Sequence, residues 1–298
     1  MNTFCFNLTL PISKKNVRIR ELKNIDFKNI LKFIQNNDNQ NLSVYLDYLL
    51  SIYTDLDFVP TNIDKFCIFL MLRSVSIGNV IELHTTKDGK KAPIIKILIN
   101  SIIDNLEKNL SGNYEQILEK NDIKVIIDLP KSLYINKIEN IFQDIIKEIY
   151  ISEDAIGYWE LDKVEREEII NNLDSYFSKE IYKHIGKIGN DLKHILLFEN
   201  KWNVDELNDI VLNPFCDILL EFLKNLYNRN LLNYFEIGYV LCKHARISLE
   251  YFDNMIPIET EIYISQMKKE AKEAEDREKH SREPGRQSVN VHPLNNQI

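Results

Sequence analysis

The feature that most constrains this chain is a change in the period of its apolar residues near Pro130. Side chains alternate across a strand with period 2 and recur along one helix face with period 3.6, so a change of period separates two kinds of local structure. Before Pro130 both periods occur. Phe4, Phe6, Leu8 and Leu10 alternate with Cys5, Asn7 and Thr9, as in a half-buried strand, and residues 16–22 alternate again and can pair with it. Residues 26–34 and 42–53 have helical spacing, divided by the polar run 36–41. A third helix over residues 63–73 has Thr61 or Asn62 as its N-cap. Residues 80–84 and 94–99 are β-rich runs flanking an Asp88-Gly89 turn, a hairpin signal. A short helix over 102–110 and a strand over 123–129, stopped by Pro130, complete this part.

From residue 136 onward the pattern is helical. Ile138, Ile141, Phe142, Ile145, Ile146 and Ile149 follow the i, i+3, i+4 rule. Residues 165–184 and 191–198 continue it, with Gly186 and Gly189 marking a break, and Pro214 suits the first turn of a further helix. Phe215, Ile218, Leu219, Phe222, Leu223 and Leu226 form an apolar stripe. Residues 231–245 are broadly apolar, which predicts a buried helix, and residues 248–254 a short helix or turn before Pro257. The expected fold is thus α+β: a small mixed α/β N-terminal part with a β-hairpin (1–131), a helical domain (132–256), and a projecting charged helix with a flexible tail (257–298). Strands are expected only in the first of these.

Composition narrows the function. Gly and Pro number 8 each, too few for long loops, propellers or Gly-rich phosphate cradles. The net charge of −8 favours solubility and leaves no basic domain as a nucleic-acid footprint. Cys5, Cys67, Cys216 and Cys242 are far apart, and three of them have apolar neighbours, which predicts buried thiols in a reducing compartment. No run approaches the ~20 apolar residues of a membrane span. The alternating first ten residues do not resemble a signal peptide, so the protein is expected to work where it is made.

The chemistry-bearing motifs are few. Gly186-Lys187-Ile188-Gly189 follows a helix and lacks the third glycine of a dinucleotide fingerprint. His84, His184, His194, His244, His280 and His292 form no HExxH pair, and Cys242-Lys243-His244 has no further ligands nearby. Nucleophile signatures of the GxSxG or SxxK kind are absent. The acids Glu165, Glu167, Glu168, Glu259 and Glu261 flank helix starts, where the dipole favours them, so solvated faces explain them better than catalytic pairs. Lys14, Lys15, Arg18 and Arg20 make a short basic stretch without interleaved aromatics. Catalytic, cofactor-binding and metal residues are therefore not expected, nor a small-molecule substrate, nor a membrane or nucleic-acid partner. The final helix, residues 259–280, is different. Ile258, Ile262, Ile264 and Met267 open it as apolar contacts, and Lys268, Lys269 and Lys272 begin a mixed-charge continuation. This is the candidate partner-binding segment, with residues 281–298 expected to order only on binding.

Three stretches carry a resemblance. Phe66-Cys67-Ile68-Phe69-Leu70-Met71-Leu72-Arg73 runs into Ser76-Ile77-Gly78 and a strand; Ile123 to Asp128 runs into Leu129-Pro130; and Leu212-Asn213-Pro214 leads through Tyr227, Tyr239 and Ile247-Ser248 to Met255-Ile256-Pro257 and Glu259. These resemble the baseplate-hub and hub-assembly proteins of T-even-like contractile-tailed bacteriophages. Members of that family often carry a cysteine pair in the hairpin after the first stretch; here the loop is Thr85-Thr86-Lys87-Asp88-Gly89, which removes any metal role there. The resemblance implies a non-enzymatic structural or chaperone-like protein whose partners are other phage tail and baseplate proteins. It places the chain in the host-cell cytoplasm during assembly or in the tail baseplate of the virion. Two other classes remain open: an enzyme whose site is assembled from distant residues, and a nucleic-acid-associated regulator using the Lys14–Arg20 cations.

Overall fold

The computed structural model describes residues 5–83, 86–87, 90–91, 95–110, 114–135, 138–152, 154–196, 216–227 and 231–282. Strand β1 (Phe6–Thr9) pairs antiparallel with β2 (Asn16–Ile19), with Phe6 opposite Ile19 and Leu8 opposite Val17. The even positions of β1 face inward, burying Leu8 and Leu10. Cys5, an odd position, is exposed, against the expectation of a buried thiol; Cys67 is buried, and Cys242 is half-buried. For Cys5 the alternation outweighs its two phenylalanine neighbours.

Helices α1 (Asn24–Gln35), α2 (Asn39–Tyr53) and α3 (Asn62–Ser76) follow. Thr61 caps α3, its hydroxyl accepting the Asp64 N–H. Helix α3 is the centre of the molecule: Ile63, Phe66, Cys67, Ile68, Phe69, Leu70 and Leu72 are all fully buried. The Asp64 carboxylate accepts the N–H groups of Ile12 and Ser13 at 3.0 and 3.1 Å and so pins the turn between β1 and β2 to α3. The helix ends at Ser76, and the chain turns away at Gly78, whose φ of +137° strains any side chain. The predicted hairpin is present as β3 (Val80–Leu83) with β6 (Ile95–Leu98), extended by the short β4 (Thr86–Lys87) and β5 (Lys90–Lys91). Helix α4 (Ile99–Asn109) packs beside α3.

The next elements correct the expectation that strands stop at Pro130. Strands β7 (Gln116–Lys120) and β8 (Ile123–Ile127) lead to α5 (Ile138–Ile145), which passes directly into β9 (Ile146–Ile151) and β10 (Asp154–Ile156). The four strands form one antiparallel sheet in the order β10-β9-β8-β7. The register slips between Ile126 and Ile127, so Ile126 faces Glu148 while Ile127 faces Ile146. That bulge places one extra residue in β9, so Ile146 and Ile149, three apart, both point into the core. A bulged strand therefore imitates helical spacing.

Helix α6 (Lys163–Asn172) opens with a reciprocal cap between Asp162 and Glu165. Helix α7 (Ser175–Leu196) runs without interruption through Gly186 and Gly189, where a break was expected. Burial of Phe177, Ile181, Ile185, Ile188 and Leu192 along one face outweighs the ~1 kcal/mol propensity cost of each glycine. The break falls instead at Leu173–Asp174, where the Asp174 carboxylate accepts the Tyr176 N–H. Helix α8 (Cys216–Tyr227) lies against α3, with Phe222 edge-on to Phe66 at 5.6 Å and the Tyr227 hydroxyl donating to the Phe69 carbonyl. Pro214, Phe215 and residues 283–298, for which a helix start, part of an apolar stripe and a tail are expected, lie outside the described residues. One core cluster extends from Leu8 to Tyr227. The last helices, α9 (Leu231–His244), α10 (Leu249–Asn254) and α11 (Pro257–Arg282), share a smaller cluster of Tyr234, Leu241 and Phe252.

Candidate partner-binding surface

The base of α11 is tied to the other end of the chain. Asn24, buried at the start of α1, donates its side-chain amide to the Phe252 carbonyl at 2.9 Å and to the Thr260 hydroxyl at 2.7 Å. Its backbone N–H reaches the Met255 carbonyl at 2.8 Å. Lys28 pairs with Asp253 at 3.1 Å, and the Tyr234 hydroxyl also donates to Asp253. Burial, then the adjacent carboxylate, raises the Tyr234 phenol far above its ordinary range, so it stays protonated as a donor. Pro257 occupies the first helical position, and Glu259 accepts the Ile256 N–H.

Along α11 the predicted contact residues divide. Ile264 and Met267 pack against the Tyr234–Leu241–Phe252 cluster, so they serve the chain's own packing. Ile258 and Ile262 face solvent, the latter 56% exposed, with Tyr263 beside them. From Lys268 to Lys279 every residue is exposed, Lys269 and Lys272 included. The pairs Glu273–Arg277 and Glu275–Lys279 join this segment only to itself.

Helix α9 was expected to be buried and is buried on one face only. Leu232, Phe235 and Tyr239 are 59%, 50% and 62% exposed. They repeat at intervals of three and four, the spacing of one helix face, and were missed because α9 is apolar almost all round. On another side of α9, a groove of about 650 Å³ runs beside α11, floored by Ile237, Val240, Ile264, Met267 and Ala271 and edged by Glu236 and Lys268. Gly238 lets the α9 backbone approach Phe252: a Cβ there would stand 2.9 Å from its ring.

Three cations of the basic stretch near the N-terminus, Lys15, Arg18 and Arg20, are engaged within the chain. Lys15 lies over the Phe58 ring at 3.9 Å, Arg18 pairs with Asp55 at 2.8 Å, and Arg20 donates to the Ile52 carbonyl. The backbone and side chain of Arg18 hold the Asp55 carboxyl below its ordinary range. Among the described residues no three His, Cys, Asp or Glu side chains converge as a metal site, and no helix is long and apolar enough to cross a membrane.

The described residues thus form an α+β body with an exposed apolar face on α9 and a charged, exposed stretch of α11. The family described as T4 bacteriophage base plate protein matches residues 1–220, and the chain belongs to that family. The match covers the central helix, the sheet and the main core; α9, α10 and α11 lie beyond it. No curated protein and no solved structure matches the chain.

Proposed function

We propose that this baseplate protein is a non-enzymatic structural or assembly component of the hub, acting in the infected cell through contacts with other tail proteins. The observation that carries the reading is the contrast along α11: its first turn is bound to α1 by Asn24 and Thr260, and residues 268–279 stand in solvent. Ala, Glu and Lys have high helix propensity, and the helix continues from an anchored first turn, so its exposed length is available to another chain. The proposed occupant of the groove between α9 and α11 is an amphipathic helix of a second tail protein. The apolar floor takes its apolar face, and Glu236 and Lys268 match charges at its edges.

The test is co-purification from infected cells of the full chain and of a chain ending at Met267, with mass spectrometry of intermediates and finished particles. The full chain is expected to bring down tail proteins and the shortened chain to lose them. Equal recovery with both would refute the role given to α11. Presence in finished particles marks a resident component; presence in intermediates alone marks a chaperone that leaves.

A further inference from the structure

The outward side of α9 carries Leu232, Phe235 and Tyr239, each at least half exposed, with Cys242 next along the same line and half-buried. Steps of three, four and three residues keep these side chains on one face of the helix. Covering such a face with another apolar surface releases the water around it. The charges beside the face select the cover.

Glu236 and Lys243 are both exposed. They stand two helical turns apart, so they share one flank of the face, about 20° from each other around the axis. Neither has an ion-pair partner among the described residues; Lys243 lies over the Tyr239 ring, 5.4 Å from its centroid. When two copies of one helix pack antiparallel about a twofold axis, the same flank of each meets the other. A residue above the axis then faces one equally far below it. An axis passing beside Tyr239, midway between residues 236 and 243, therefore sets Glu236 of each copy opposite Lys243 of the other. The two Tyr239 rings meet at that axis, and Phe235 lies beside Cys242 of the second copy. A parallel pair in register would set Glu236 against Glu236 and Lys243 against Lys243, which repel. The face is complementary to itself in one orientation.

We infer that two copies of this chain associate through α9, antiparallel and twofold, with Phe235 and Tyr239 at the centre and two Glu236–Lys243 pairs along one edge. Helix α9 lies beyond the residues 1–220 that the baseplate family matches, so nothing in that membership bears on this contact. It is also distinct from the groove beside α11: Glu236 stands between the two, and Lys243 does not line the groove.

The experiment is sedimentation equilibrium of the purified full chain, reduced and at low salt. A contact of one helix pair sits at the weak end of specific interfaces, so a dimer with a Kd of roughly 10–100 µM is expected, measured up to about 300 µM protein. Lys243→Glu and Glu236→Lys each set two like-charged pairs along the edge, and each should raise the Kd roughly tenfold. The double variant Glu236→Lys/Lys243→Glu restores both pairs with their signs exchanged and should return to within about twofold of the wild type. Phe235→Ser removes an exposed ring from the centre and should raise the Kd by roughly tenfold or more. All three positions are exposed, and an unchanged circular dichroism spectrum checks that each variant is folded. A monomer throughout the range, an assembly larger than a dimer, a Kd unmoved by Lys243→Glu or by Phe235→Ser, or no recovery in the double variant would overturn the inference.

Discussion

Phe142 is 6% exposed, with its ring edge-on to Tyr182 at 5.1 Å. Phe142→Ala removes that contact and leaves a void the sheet cannot close, so it should cost about 3–5 kcal/mol by chemical denaturation. Phe222 lies in the other apolar stripe but is only half-buried against Phe66, and Phe222→Ala should cost less than Phe142→Ala. His184 tests the electrostatics of the same interior. Its Nε2 is buried with no hydrogen-bond partner among the described residues. Burial first, then Lys187, lowers its pKa below the ordinary 6.5, with Asp128 opposing. Below about pH 6.5 the unfolded chain takes up a proton that the folded chain does not, so stability rises with pH through this window and is lost as pH falls. The melting temperature should therefore drop more between about pH 7.5 and about pH 5.5 in the wild type than in His184→Leu. Equal drops would show that the ring is not held neutral.

Among elements, those whose local signal agreed with their packing were legible in the sequence. The β3–β6 hairpin, α3 with its Thr61 cap, and the α1 and α2 pair stand where pattern and capping put them. The exceptions each have a physical cause. A bulge gave β9 the spacing of a helix; burial carried α7 through two glycines; and the all-round apolar character of α9 concealed that only one of its faces has a partner. The exposure of Ile258, Ile262 and the lysines after Met267 was legible because charge and apolar residues segregate along α11. The Asn24 tie was not, because nothing local marks an asparagine as the partner of residues more than 220 positions away. Asn24→Ala should leave the Phe252 carbonyl and the Thr260 hydroxyl without that donor, costing about 1–3 kcal/mol. Hydrogen exchange in α10 and the first turn of α11 should rise more than in α3.

For the whole molecule, one core joins the strands before Pro130 to α8, and the later helices attach to it mainly through α1. The exposed part of α11 adds little to that core, since each of its i,i+4 ion pairs is worth about 0.2–0.5 kcal/mol. Ending the chain at Met267 should therefore move the melting temperature by less than roughly 2 °C. A larger fall would mean that the helix helps hold the body together. The clasp between Asn24 and residues 252–260 also has a consequence for synthesis. Its two sides are separated by 228 residues, so the loop it closes takes in most of the chain. On the ribosome, the face of α1 bearing Asn24, Phe27 and Lys28 waits uncovered until the other side emerges. A chain broken off before residue 252 has neither the clasp nor the helix that it anchors. Under the function proposed above, the contact surface on α11 is thus made only after the α1 face that anchors it, and a product broken off before it would lack the means to join a growing baseplate.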